Sequence, residues 1–138
     1  MSNITIVGLD YENVKIFANK LAEKMNYQYI DAVQVFDLYL VKSAQLPLQF
    51  ADELLQKKEA EILKNLSVKN DVIISISADM FLSNQNYLIL NNNCKILINK
   101  ENLNNIDKNI EKLIKNHCNF EFNQKNLNYL DIINKIRG

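Results

Sequence analysis

The stretch from residue 4 to residue 31, ITIVGLDYENVKIFANKLAEKMNYQYID, decides the fold. Its first residues are β-branched or apolar and run to Gly8, which is typical of a buried strand that ends in a turn. Tyr27, Tyr29 and Ile30 form a second short strand that ends at Asp31. Between the strands, apolar residues recur at the spacing of a helix that lays one face on a sheet: Val14, Phe17, Ala18, Leu21, Ala22 and Met25. The stretch therefore predicts a βαβ unit, the usual start of a parallel α/β sheet.

The turn after the first strand stands where many nucleotide-binding proteins carry a phosphate-binding loop. The pattern G-x-x-x-x-G-K-[ST] needs two glycines, a lysine for the phosphates and a hydroxyl for Mg²⁺. Residues 8–15 keep Gly8, but Asn13, Val14 and Lys15 take the positions of the second glycine, the lysine and the hydroxyl. Asn13 also brings a Cβ where glycine lets the backbone wrap a phosphate. The sequence predicts the scaffold of such a loop without its chemistry.

Charged residues in the same loop also bear on nucleotide binding. Asp10 and Glu12 place negative charge there, which repels a triphosphate and also suits the positive end of a helix dipole. Lys15 comes one residue late, and a shift of one helical residue turns a side chain by about 100°, away from the phosphates. A bent loop that brings Lys15 back is the alternative.

The rest of the chain continues the alternation of helices and strands. Helices are predicted over 33–40, 49–68, 83–91, 103–116 and 127–136, with a break at 43–48 around the only proline. The run 72–76 is continuously apolar, as in a central parallel strand, and residues 77–79 are predicted to be the loop after it. Strands at 95–98 and 120–122 complete the set. We expect one α/β domain over residues 1–138, a three-layer sandwich around a five-stranded parallel sheet.

Two of these helices carry specific expectations. In 49–68, one apolar stripe is predicted to be buried: Phe50, Leu54, Leu55, Ile62, Leu63 and Leu66. The solvent side of that helix is predicted to carry Lys57, Lys58, Glu59 and Glu61. In 83–91, Ser83 is the predicted N-cap, with Tyr87, Leu88 and Leu90 facing inward.

Composition excludes several classes of partner. The 138 residues carry 16 basic and 16 acidic side chains, so the formal net charge is zero. A balanced chain without a basic run gives no reason to expect nucleic acid as a partner. No apolar stretch approaches the roughly 20 residues that span a bilayer, and the N-terminal residues enter a strand rather than a signal peptide. We therefore expect a cytoplasmic protein without a membrane partner.

The thiols and the single histidine give no sign of a metal site. Cys94 and Cys118 lie near the starts of two predicted strands and are interpreted as buried free thiols in a reducing compartment. The chain has one histidine, His117, and no CxxC spacing. His117 and Cys118 are neighbours on a predicted strand, where successive side chains point to opposite faces, so we do not interpret them as a catalytic pair.

Over nearly its full length the chain resembles the shikimate kinases, small P-loop kinases with a five-stranded parallel sheet. The likeness is sharpest in residues 1–31, where that family shows a strand, the P-loop, a helix with a Leu-Ala pair and an aromatic strand ending in aspartate. This sequence has the corresponding residues at the same spacing from Gly8 and without a gap: Leu21, Ala22, Met25, Asn26, Tyr29, Ile30 and Asp31. The resemblance implies P-loop kinase topology and, where activity is retained, phosphoryl transfer from ATP with Mg²⁺.

The substrate positions that the resemblance implies mostly carry other residues. The family's second substrate-site aspartate falls on Val33, which leaves Asp31 either as a residue on the magnesium side or as an ordinary polar strand end. In the family's Phe-Arg-x-x-Glu motif, the arginine that holds the substrate carboxylate falls on Gln56 and the glutamate on Glu59. A carboxylate clamp is then absent.

Two further departures concern the substrate ring and the lid. The three glycines that cradle the ring in the family fall on Ser77, Ala78 and Asp79, and Asp79 is then expected to cap a helix rather than to catalyse. A single helix over 103–116 replaces the family's arginine-bearing lid. The only arginine of the chain, Arg137, is next to last, although enzymes that hold phosphates rely on arginine's bidentate fork.

Three functions remain open from the sequence, and whether the protein is an enzyme stays open with them. The first is a catalytically inactive shikimate-kinase-like module that binds or regulates an unknown protein partner and needs no cofactor or metal. Tyr11 and Tyr27 are its candidate exposed aromatic residues. The second is a divergent ATP- and Mg²⁺-dependent kinase of shikimate or another small metabolite that uses Lys15 in place of Val14. The third is a small-ligand sensor that uses the cleft at the carboxyl ends of the strands. Losses at the P-loop, the lid and both substrate clamps favour the first.

Overall fold

The computed structural model describes the backbone of residues 3–42 and 48–138, and the side chains of residues 3–40 and 52–138. Its strands are β1 (Asn3–Gly8), β2 (Gln28–Asp31), β3 (Val72–Ser77), β4 (Cys94–Asn99) and β5 (Phe120–Asn123). Its helices are α1 (Tyr11–Met25), α2 (Ala32–Lys42), α3 (Leu48–Ser67), α4 (Ala78–Leu82), α5 (Asn105–Lys115) and α6 (Tyr129–Arg137). The predicted alternation of strands and helices is confirmed.

The five strands form one parallel sheet in the order β2-β3-β1-β4-β5. All six residues of β1 are buried because the strand lies at the centre and both faces of the sheet are covered. One apolar cluster packs α1 and α6 against one face, and a second packs α3, α4 and α5 against the other. The predicted three-layer α/β architecture with a five-stranded parallel sheet is confirmed.

The segment after β3 departs from the prediction. Residues 77–79 are not a loop, because Ser77 ends β3 and its hydroxyl accepts a hydrogen bond from the backbone N–H of Met80, which starts α4 at Ala78. Ser77 is therefore the cap that we predicted at Asp79, and Asp79 lies exposed in the first turn of α4. Because the last residue of the β-branched strand β3 is also the serine that caps α4, no loop separates the two elements.

The predicted helix over 83–91 is also wrong. Residues Ser83–Leu88 form a 3₁₀ segment in which Asn84 and Gln85 have left-handed backbone, with φ of 50° and 56°. Two consecutive left-handed residues cannot continue an α-helix. Leu90 is buried as predicted, but Leu88 is 58% exposed.

Helix α3 follows the predicted stripe only in part. Leu63 and Leu66 are buried, whereas Leu54 is 39% exposed and the prediction for it is wrong. Glu59, predicted on the solvent side, is half-buried and accepts a hydrogen bond of 2.6 Å from the Asn86 side chain. The side chain of Phe50 lies outside the described residues, as do residues 43–47 of the predicted break over 43–48. The last residue of that break, Leu48, begins α3. Within the described ranges, no helix is long and apolar enough to cross a bilayer.

Candidate functional site

The turn between β1 and α1 has only two residues, Leu9 and Asp10. It is tight because β1 ends against its neighbours: a Cβ added to Gly8 would lie 2.7 Å from the carbonyl oxygen of Ile98 and 2.9 Å from Cγ2 of Val14. Both distances are shorter than a side chain tolerates, so this position requires glycine. The retained glycine is thus explained by close packing against β4.

The N-terminus of α1 is occupied by polar groups of the chain itself. The carboxylate of Asp10 accepts a hydrogen bond of 2.7 Å from the Asn13 side chain and a longer one of 3.4 Å from the Asn13 backbone N–H. The Asn13 amide also donates to the side-chain oxygen of Gln124, at 3.3 Å, in the loop after β5. A helix N-terminus attracts anions through its free N–H groups and its dipole. Here a carboxylate already holds that position.

Val14 and Lys15 face in different directions. Val14 is 0% exposed and packs in the apolar cluster between α1 and the sheet. Val14 is the fourth residue of α1, and its backbone N–H closes the first turn by donating to the Asp10 carbonyl oxygen at 3.0 Å. The ammonium of Lys15 pairs with Glu12 at 2.9 Å and lies 5.4 Å from the centre of the Tyr11 ring. The hydrogen bond with Glu12 raises the pKa of Lys15, so its charge is retained.

A hydrogen-bonded group of four residues links α1 to β2 and β3. The Tyr11 hydroxyl donates to Oδ1 of Asp31. The Ser75 hydroxyl lies 2.9 Å from that of Tyr11 and 2.8 Å from that of Tyr29. Each hydroxyl has one hydrogen to donate, so Ser75 donates to Tyr11 and accepts from Tyr29. Asp31 ends this chain of donors and also accepts from the backbone N–H of Gln34, at 3.1 Å, in the first turn of α2.

Burial keeps the two tyrosines protonated. It raises the pKa of Tyr11 well above its ordinary value, and the hydrogen bond to Asp31 raises it further. Burial also raises the pKa of Tyr29. Tyr11 was predicted to be an exposed aromatic and is half-buried, and Tyr27 is half-buried against the core, so both predictions of exposure are wrong. Sequence analysis missed this group because its members lie up to 64 residues apart.

A hollow of about 400 Å³ opens beside Asp31. Tyr11, Glu12, Lys15 and Asp37 contribute to its walls. It carries three carboxylates and one ammonium, and that ammonium is paired with Glu12. The hollow lies at the carboxyl end of β2, on the side of the sheet where the sequence led us to expect a ligand cleft.

The other predicted substrate positions do not gather at this hollow. Gln56 is exposed on α3, and Glu59 is bonded to Asn86, with its pKa raised by burial. Ser77 caps α4 and Asp79 faces solvent. Of the five predicted substrate-site residues, only Asp31 lines the hollow.

The thiols and His117 lie toward the opposite, amino edge of the sheet. Cys94 is buried and Cys118 half-buried, both are free, and burial raises their pKa values to about 11 and about 12. His117 precedes β5, which begins at Phe120, so its predicted position on a strand is wrong. It stacks on Tyr87 with ring centres 3.7 Å apart. Across residues 3–42 and 48–138, no group of three or more His, Cys, Asp or Glu side chains is arranged to hold a metal ion.

Comparisons with known proteins identify the fold of the chain. No family model and no curated protein sequence matches the chain. Solved structures do: shikimate kinase from Bacteroides thetaiotaomicron has a TM-score of 0.68 at 14% identity, covering 99% of this chain and 96% of that one. Shikimate kinase from Acinetobacter baumannii in complex with shikimate has a TM-score of 0.65 at 14% identity, covering 99% and 91%. The Aquifex aeolicus enzyme scores 0.62 at 14% identity, covering 98% and 94%. The chain has a shikimate-kinase-like fold.

Proposed function

We propose that this protein is a catalytically inactive member of the shikimate-kinase-like fold that works as a binding or regulatory module for a protein partner. One observation carries the proposal: α1 begins two residues after β1, and the Asp10 carboxylate sits at its N-terminus. Phosphoryl transfer requires positive charge and backbone N–H groups around the transferred phosphate. At this position the chain places the Asp10 carboxylate, which already accepts hydrogen bonds from Asn13.

The positions of the basic residues support the same proposal. The helical position that corresponds to the P-loop lysine is the buried Val14, and the ammonium of Lys15 is paired with Glu12. Arg137, the only arginine of the sequence, lies with Ile4 and Tyr27 around a hollow at the start of β1. The strands are parallel, so this is the edge of the sheet opposite to Asp10 and Asp31. No arginine is therefore placed to hold a phosphate or a substrate carboxylate at the carboxyl edge.

The hollow beside Asp31 favours a second function, which is the binding of a small ligand. This function requires no nucleotide. Its three carboxylates repel an anion such as shikimate. The protein would then act as a sensor, and ligand binding without turnover would distinguish it from a kinase.

Calorimetric titration with Mg-ATP and with Mg-ADP tests the proposal. We expect no heat of binding at millimolar nucleotide and no phosphoryl transfer to shikimate. The variant Lys15→Ala should behave as the parent does, because Lys15 pairs with Glu12 and not with a ligand. A micromolar dissociation constant that is lost in Lys15→Ala would overturn the proposal and support the divergent kinase.

A further inference from the structure

A second opening lies between α5 and the carboxyl halves of β4 and β5. It encloses about 340 Å³, and its apolar wall includes Leu97 and Leu103. Glu111, from the inner face of α5, contributes to its floor, although glutamate is rarely buried without a partner. The group beside Asp31 is on the other side of β1, next to β3, so the two openings are separate.

Half of the Glu111 carboxylate has no partner. The side chain is 7% exposed, and Oε2 accepts a hydrogen bond of 2.7 Å from the backbone N–H of Lys100. Among the described residues, Oε1 accepts no hydrogen bond and makes no ion pair. No fully buried side-chain oxygen of the described chain lacks a partner, so Oε1 reaches solvent through the opening that Glu111 lines. Oε1 is therefore a solvent-accessible anionic acceptor on a side chain that is otherwise buried, at the edge of this opening.

Lysines of α5 line the same opening as this carboxylate, together with the carboxylate of Glu121. Lys108 and Lys115 are three residues before and four residues after Glu111, on the same side of the helix, and Lys112 follows it directly. Lys115 is paired with Glu121 at 2.6 Å. Neither Lys108 nor Lys112 has an ion-pair partner within the described part of the chain. Two ammonium groups therefore remain available at the rim.

We propose that this opening binds a small zwitterion whose ammonium group contacts Oε1 of Glu111 and whose carboxylate or phosphate group contacts Lys108 and Lys112. A simple anion would approach the Glu111 carboxylate, and a simple amine would approach the rim lysines, so each meets repulsion that a zwitterion avoids. Cβ atoms three or four residues apart on a helix are about 5–6 Å apart. This separation suits charged groups a few bonds apart, as in amino acids and aminoalkyl phosphates.

The inference does not depend on the proposed function. It concerns different residues and a ligand without a nucleotide, and it requires no catalysis. The calorimetric response to Mg-ATP and the response to zwitterions are therefore separate outcomes, and either can fail alone.

The test uses the full chain, with glycine, 4-aminobutyrate and O-phosphoethanolamine as probes. Butylamine and butyrate are the matched ligands that carry one charge. Backbone N–H resonances are followed by NMR during each titration, and the signal of Lys100 reports on its hydrogen bond to Glu111. We expect a saturable shift at Lys100 with at least one zwitterion, and affinity at least about tenfold weaker for both singly charged ligands.

Variants assign the two ends of the site. Glu111→Gln and Lys112→Gln should each weaken zwitterion binding by about tenfold. Lys64→Gln, an exposed lysine on α3, should leave binding unchanged. Lys112 is also exposed, so its variant tests the site even if Glu111→Gln lowers the yield of folded protein. No binding of any zwitterion at millimolar concentration would overturn the proposal. Equal binding of butyrate, or binding that is unchanged in both Glu111→Gln and Lys112→Gln, would overturn it as well.

Discussion

The β1–α1 turn and the opening beside α5, here called the α5 cleft, lie on the same carboxyl side of the sheet. They differ in how far their carboxylates are hydrogen-bonded within the chain. In the turn, the Asp10 carboxylate is matched by Asn13, and Asn13 in turn by Gln124. In the cleft, one oxygen of Glu111 is matched by Lys100 and the other is left open. An acceptor can accept a hydrogen bond from within the chain, or it can remain open to a hydrogen bond from a ligand. The comparison indicates that the Asp10 carboxylate is hydrogen-bonded within the chain, whereas one oxygen of Glu111 has no partner among the described residues.

The largest expected effect comes from restoring the P-loop lysine as Val14→Lys. Because Val14 is 0% exposed, a lysine there buries an unpaired ammonium, and we expect a loss of at least about 3 kcal/mol in the free energy of unfolding. Nucleotide binding should not appear. The measurement is urea denaturation together with calorimetry. Val68→Lys, at a residue that is 74% exposed, is the control and should change stability by less than about 0.5 kcal/mol. A stable Val14→Lys variant that binds Mg-ATP would contradict the view that the β1–α1 turn is closed to a nucleotide.

Removal of the α1 cap has a smaller expected effect. Asp10→Ala leaves Asn13 and the first turn of α1 without their acceptor, and we expect a loss of about 1 kcal/mol. Asn104→Ala is the matched variant, because the Asn104 side chain caps α5 through the backbone N–H of Asp107 at 2.7 Å. Thermal unfolding of both variants should show similar losses. A neutral Asp10→Ala variant beside a destabilised Asn104→Ala variant would show that Asp10 does not hold the N-terminus of α1.

The smallest expected effect is a pH dependence at Glu111. Burial raises the pKa of Glu111 above its ordinary value of 4.5. The folded state therefore binds this proton more tightly than the unfolded state, so the charged form costs stability as the pH rises from 4.5 through the folded pKa. We expect the stability of Glu111→Gln relative to the parent to increase over that interval and to level off above it. Denaturation of both proteins at several pH values measures this difference in the free energy of unfolding. A difference that stays constant over the interval would contradict the expectation.

The sequence predicted the central strands well because β1, β3 and β4 are short, mostly apolar runs. The order of the long helices followed from periodicity. It failed where the backbone conformation of individual residues decides the structure. Asn84 and Gln85 are left-handed, and this conformation ends the predicted helix. It also predicted Glu59 on the solvent side of its helix, whereas that side chain is half-buried and bonded to Asn86.

Lys95 is 6% exposed because its ammonium donates to the carbonyl oxygens of Leu90, Asn91 and Asn93. These acceptors lie two to five residues before Lys95 in the sequence, but the turn that directs their carbonyl oxygens at the ammonium has no sequence signal.

The candidate site was predictable only in part for the same reason. The presence of Asn13, Val14 and Lys15 at the positions that a P-loop would occupy can be read from spacing. The two-residue turn, the bond from Asn13 to Gln124 and the placement of Tyr11 on Asp31 cannot, because each depends on where α1 begins. The open oxygen of Glu111 depends on the packing of α5 against β4 and had no sequence signal.

NMR of the α1 N-terminus during a Mg-ATP titration tests the central claim most directly. The backbone N–H resonances of Tyr11, Glu12 and Asn13 report on any anion that reaches the start of the helix. Since the Asp10 carboxylate occupies that position, we predict that these resonances remain unchanged at millimolar Mg-ATP. Saturable shifts at Tyr11, Glu12 and Asn13 would show that a phosphate displaces the Asp10 carboxylate and would contradict the account.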